Sequence, residues 1–186
     1  MNLPKTDSGN EKATRRSFLK TTTAAISTMA VVGLDIERFA NAAGSDIIKV
    51  GMIGCGGRNA GAGVQALKAD SGARLVAMCD IFMDRVKAKR EEIKKQCPEQ
   101  VTVDDDYCFV GLESYKRVIE SSDVVLIANA AKFHPLHLLA AVEAGKHVFV
   151  EKPHGIDPAG LKMTAKACEL AKEKKLSVLS GLHSRH

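Results

Sequence analysis

Three groups of residues in this chain have the types and spacing that chemistry needs. Glu151-Lys152-Pro153 follows the apolar run His147–Val150, so an acid and a cation stand where a buried strand ends and a proline stiffens the turn. In open α/β sheets, ligands gather in the crevice outside the carboxyl ends of the strands, so a lysine placed there can meet a cofactor or a substrate. The same residues would also suit a solvated corner, and the rest of the chain must decide between the two. Gly54-Cys55-Gly56-Gly57-Arg58 closes an earlier β-branched run. Gly54 permits a tight strand-to-helix turn, and Gly56 lets the backbone approach a pyrophosphate resting on the free N–H groups of a helix start. The third glycine of that fingerprint would fall at 59, where this chain has Asn59. Asp80 ends the next apolar run, a carboxylate suited to the ribose hydroxyls of an adenosine.

These side chains need an alternating scaffold to bring them together, and the hydrophobic pattern provides one. Strand-like apolar runs cover 47–53, 73–79, 123–128, 147–150 and 176–180, and helical spacing covers 59–68, 84–96, 112–120, 135–144 and 158–174. The stretch 101–107 is ambiguous, a short strand followed by a loop through Gly111. Gly145 is placed to cap the helix before it, and Asp84 to start the helix after the second strand, where an acid suits the dipole. Apolar strands alternating with helices predict a parallel sheet covered on both faces. The expected class is α/β, a Rossmann-type doubly wound sheet forming a single domain over 43–186.

The first 42 residues read as a separate segment. Arg15-Arg16-Ser17-Phe18-Leu19-Lys20 pairs two arginines with an apolar dipeptide, a mildly apolar stretch runs to about Leu34, and Ala40-Asn41-Ala42 has the small residues of a cleavage site. That order is a secretory signal of the twin-arginine type and predicts export to the periplasm through that machinery. The apolar stretch is too short and too rich in Thr, Ser and Ala for a stable membrane span. Six of the 27 Lys/Arg and four of the 22 Asp/Glu lie in this segment, so the remainder is only mildly basic. With no Trp and few aromatics there is little for bases to stack on, and no nucleic-acid partner is expected. Five cysteines, odd in number and without C-x-x-C spacing, suggest neither a disulfide framework nor a metal site. Cys55 and Cys79, in apolar strand contexts, read as small buried residues.

Together, Val50 to Arg58, Asp80, His134 ahead of Ala144-Gly145-Lys146-His147-Val148, and Glu151-Lys152-Pro153 resemble the Gfo/Idh/MocA oxidoreductases, over essentially all of 46–186. The resemblance implies hydride transfer between a nicotinamide cofactor and a sugar or cyclitol. It places catalysis on Lys152, which would orient and polarise a substrate hydroxyl. Cofactor contacts would come from Gly54, Gly56, Gly57, Arg58, Asp80, Asn129, His134, Glu151, Lys152 and Pro153. Glu151 would face the nicotinamide-side ribose, and Pro153 would fix the turn. Asp80 tilts the cofactor toward NAD, while Arg58 and Arg85 keep NADP open. The family's usual Thr-Pro after the fourth strand is here Asn129-Ala130, so the loop beneath the cofactor departs from the pattern. His134 suits either a helix start or a cofactor contact, and His137, His147 and His154 receive no role. Family members continue into a second, substrate-binding domain, so the chain is expected to bind NAD as one half of a site, with homo-oligomers open to the longer form. Two alternatives remain: an NAD-dependent glycoside hydrolase of the same fold, and a non-catalytic nucleotide-binding module.

Overall fold

The computed structural model describes residues 47–182, and the signal segment expected over 1–42 lies outside them. Six strands are joined through five helices: β1 (Ile48–Ile53), α1 (Gly57–Ala69), β2 (Ala73–Asp80), α2 (Met83–Gln96), β3 (Cys108–Val110), α3 (Tyr115–Ser121), β4 (Val124–Ile127), α4 (His134–Glu143), β5 (His147–Val150), α5 (Pro158–Glu173) and β6 (Val178–Ser180). All strand pairs are parallel, in the order β3-β2-β1-β4-β5-β6. The chain therefore winds outward from β1 in both directions, and the strand order reverses between β1 and β4. At such a switch point the helices leave on opposite faces and a crevice opens at the strand ends.

Two cores cover the sheet. Val50, Met52 and Leu75 point to one face, against Leu67, Val86 and Ile93 of α1 and α2. Ile53, Val125 and Val148 point to the other, against Val118, Leu138 and Ala167 of α3, α4 and α5. The alternation along β1, with consecutive residues feeding opposite cores, is what a strand buried on both sides requires. Gly145 closes α4 at φ +75°, with its N–H on the Val142 carbonyl and that of Lys146 on Ala141, an αL cap that glycine makes without strain. Among the described residues no helix is long and apolar enough to cross a membrane.

The ambiguous stretch resolves differently from its expected order. Val101 makes only an isolated bridge to Leu75. The Asp104 carboxylate then accepts the N–H groups of Asp106 and Tyr107 and holds a single 3-10 turn, so the third strand begins only at Cys108. A side chain that caps its own neighbours competes with strand pairing, and here it delays the strand.

Candidate active site

The glycine turn is built by contact as well as by torsion. Gly54 sits at φ +90°, and a Cβ there would lie 2.6 Å from the Asn129 Cβ and 2.8 Å from its Cα. Only glycine lets the end of β1 pass this close to the loop after β4. Two residues on, Gly56 is the N-cap of α1 with no side-chain cap, and the first turn carries no acid. Added side-chain atoms at Gly56 and Gly57 would meet nothing within 4 Å. The helix start therefore offers free N–H groups to open space, which is the arrangement an anion needs.

Asn59, in the position of the missing third glycine, is fully buried and joins the two strands at the switch point. Its Nδ2 lies 3.0 Å from the Ile53 carbonyl, 2.7 Å from Gly54 and 3.2 Å from Leu126, while its Oδ1 has no partner. The signal for this role was in the sequence, an amide where the fingerprint wants glycine, but its three acceptors were not. Asp80 lies across the turn. Its Oδ2 accepts the Cys55 N–H at 2.7 Å, and its Oδ1 accepts those of Ile81 and Phe82. A carboxylate oxygen has two lone-pair directions, so Oδ2 can still receive a hydroxyl. Both neighbouring thiols are buried: burial pushes Cys55 well above its ordinary range and Cys79 up to about 11, so both stay protonated.

At the other side of the crevice, Glu151 is turned inward and only 4 % exposed. Nε and Nη2 of Arg58 both reach its Oε1 at 2.6 Å, so these two expected cofactor ligands hold each other. The Arg58 guanidinium also lies over the Phe149 ring, 5.8 Å from its centre. Lys152 follows with an exposed side chain, and its ammonium has no partner among the described residues. The Lys152–Pro153 peptide is cis.

His134 begins α4 and is 2 % exposed. Its Nδ1 is 2.8 Å from the Pro153 carbonyl and its Nε2 is 3.0 Å from that of Asn129. The ring thus ties the loop after β4 to the turn that carries Lys152. His134 starts the helix and ties these two loops, with both ring nitrogens on backbone carbonyls, and it is not among the residues lining the crevice. His154 adds a tie to β6 through Ser180 Oγ at 2.9 Å.

His137, assigned no role by its spacing, lies in the crevice wall. It packs at a tilt against Tyr115 and stacks on Phe133, with ring centres 4.4 and 5.9 Å away, and its Nδ1 is 3.1 Å from Asn129 Nδ2. Burial, with a contribution from neighbouring His134 against an opposing one from Glu113, lowers its pKa to about 4, so the ring is neutral. Nothing in the one-dimensional pattern separates this histidine from a filler of the core.

The glycine turn, Asp80, Asn129, His137 and Tyr115 line one crevice of about 250 Å³ at the β1–β4 switch point. The description "Oxidoreductase family, NAD-binding Rossmann fold" of the Gfo/Idh/MocA family fits residues 48–181. This chain belongs to that family. It is similar to a glycosyl hydrolase family 109 protein of Bacteroides fragilis, 33% identical over 127 residues, covering 66% of this chain and 25% of that protein. An inositol 2-dehydrogenase/D-chiro-inositol 3-dehydrogenase of Halalkalibacterium halodurans is 32% identical over 98 residues, 53% of this chain and 23% of the enzyme. Among solved structures, scyllo-inositol dehydrogenase from Lactobacillus casei superposes with a TM-score of 0.57 at 25% identity, over 76% of this chain and 38% of that one. The chain thus spans about a quarter of the length of these two relatives by sequence.

The residues fit the family's dinucleotide. The helix start is uncapped and open at Gly56, Asp80 retains acceptor capacity, and the Asn129 Oδ1 is buried without a partner. The first two features are explained by a ligand that brings a phosphate and a ribose.

Proposed function

We propose that this chain forms the cofactor-holding wall of an exported NAD(P)-dependent oxidoreductase that acts on a sugar or cyclitol. The observation that carries the reading is the uncapped glycine start of α1 facing Asp80 across the ends of β1 and β2. In that setting the N–H groups of the first turn hold a pyrophosphate, and Asp80 accepts ribose hydroxyls and repels a 2′-phosphate. The bound dinucleotide supplies the hydride acceptor. Lys152, exposed at the strand end, orients a substrate hydroxyl and helps draw off its proton. A second wall has to cover Lys152 for turnover, because hydride transfer needs both reactants held in near-attack geometry.

Fluorescence titration of the chain with NADH and NADPH tests this. We expect saturable binding, at least about tenfold tighter for NADH, as one unpaired anion–anion contact implies. No binding of either nucleotide would sink the reading, and equal binding would sink the NAD preference. Export is tested by changing Arg15 and Arg16 to lysine, after which the precursor should accumulate in the cytoplasm.

The likeness to family 109 glycosyl hydrolases favours a second reading, a glycosidase that uses NAD without net redox change. Incubating the exported protein with aryl glycosides and NAD separates the two. Aglycone release without accumulating NADH supports the hydrolase, and NADH accumulation supports the dehydrogenase.

A further inference from the structure

We propose that Glu151 is a positioning residue: it holds the Arg58 guanidinium beside the start of α1, where that cation receives the nicotinamide-side phosphate of the dinucleotide. This rests on the cofactor reading above and assigns one charge within it. The two partners are unequally placed, since Glu151 is 4 % exposed and the Arg58 side chain 44% exposed. Nε and Nη2 of Arg58 both lie 2.6 Å from Oε1 of the carboxylate, and the Lys152 N–H reaches Oε2 at 3.2 Å. The backbone at Gly181 closes over the same group, so that a Cβ there would stand 2.5 Å from its Cδ. Glu151 does not line the crevice. A carboxylate engaged and roofed in this way acts on the side chain it holds, and the exposed member of the pair is the one that can meet a ligand.

Arg58 is the second residue of α1, and no acid stands in the first turn. A cation there faces the positive end of the helix dipole, a placement that Glu151 offsets and that a bound anion turns to advantage. The guanidinium has more N–H donors than Glu151 engages, and Nη1 has no partner among the described residues. Its plane is held by Glu151 on one edge and by the Phe149 ring, whose centre is 5.8 Å from Cζ. Sheet order gives the direction. Asp80 ends β2 and Glu151 follows β5, with β1 and β4 between them. Three strand spacings, roughly 14 Å, thus separate the adenosine-side acid from the acid that draws Arg58. The crevice ends at Gly56 and the loop of Asn129, and the guanidinium stands past it toward β5. A dinucleotide running from Asp80 past Gly56 to Lys152 therefore brings its second phosphate to the Arg58 side. Arginine binds phosphate through a planar fork, and a fork already fixed in its plane loses less freedom on binding.

The test sets ADP against NADH by calorimetry on the full chain, because ADP has the pyrophosphate but neither the nicotinamide nor its ribose. Arg58→Ala should weaken both ligands about tenfold or more, the scale of lost hydrogen bonds to a charged group. Glu151→Gln should weaken both in the same direction, although removing a negative charge near phosphates would by itself tighten them. In the Arg58→Ala background, Glu151→Gln should cause no further loss, since the carboxylate acts through the guanidinium. ADP affinity unchanged or raised by Glu151→Gln overturns the proposal and leaves the cofactor reading intact. Weakening of NADH alone would place Glu151 on the nicotinamide-side ribose instead. On the unaltered chain, ADP should shift the Arg58 Nε–H signal in nitrogen NMR and adenosine should not. Absence of that shift with ADP bound overturns the proposal even if the variants fail to fold. Failure of both ADP and NADH to bind overturns the cofactor reading and this one with it.

Discussion

Glu151 and His137 are buried titratable residues held in opposite ways, one by a charge and one by its absence. Replacing Arg58 with alanine leaves the buried Glu151 carboxylate with only the Lys152 N–H, on its Oε2, and no opposing charge. Because the guanidinium is itself 44% exposed, the expected loss is about 1–3 kcal/mol, less than for a fully buried pair, and urea unfolding measures it. His137 behaves as a proton-linked site. Its folded pKa of about 4 lies below the ordinary 6.5, so between those values the unfolded chain takes up the proton first. Stability from this site is full above about pH 6.5 and drains as the pH falls toward 4, by up to about 3 kcal/mol. His137→Gln should flatten that part of the stability profile, and a proton NMR titration of the ring should give the low pKa directly. Neither feature is legible in sequence, since Arg58 and Glu151 are separated by 93 positions and His137 owes its neutrality to packing.

The turn between β1 and α1 distinguishes two kinds of glycine. Gly54→Ala forces a side chain into the backbone of Asn129 at a positive φ, and should cost about 3 kcal/mol or more along with nucleotide binding. Gly56→Ala meets open space, so it should fold normally and lose NADH affinity about tenfold or more, because its methyl group stands where a pyrophosphate would approach. Melting curves and NADH titrations on the two variants should therefore dissociate. The strands of the buried sheet could be read from their β-branched runs, and so could the glycine turn, Asp80 and the turn at Lys152. The third strand could not, because the aspartates before it form a capped turn by local hydrogen bonds that hydrophobic periodicity does not register. Asn59 was visible as a departure from the fingerprint, but its bonds to both strands at the switch point depend on α1 being packed against them.

At the scale of the molecule, the sheet is unevenly covered. β6 is one of the two edge strands, and Leu179 on it is exposed, together with Ile156, Leu161 and Leu182. An apolar edge of this kind invites pairing with other chains. Leu179→Lys should reduce self-association in light scattering at high protein concentration while leaving NADH affinity unchanged. The same edge ends at Gly181, whose N–H is bonded to the Val150 carbonyl. A Cβ at Gly181 would stand 2.5 Å from Cδ of Glu151. Position 181 is thus a mutational choke point far from the glycine turn in sequence. A saturation library selected for folded chains should return almost nothing but glycine there, while Gly61, which has open space around it and no positive φ, should accept other residues. Any graft or circular permutation that opens the chain at this junction inherits the constraint, because the backbone leaving the sheet is the lid over the carboxylate beside Lys152.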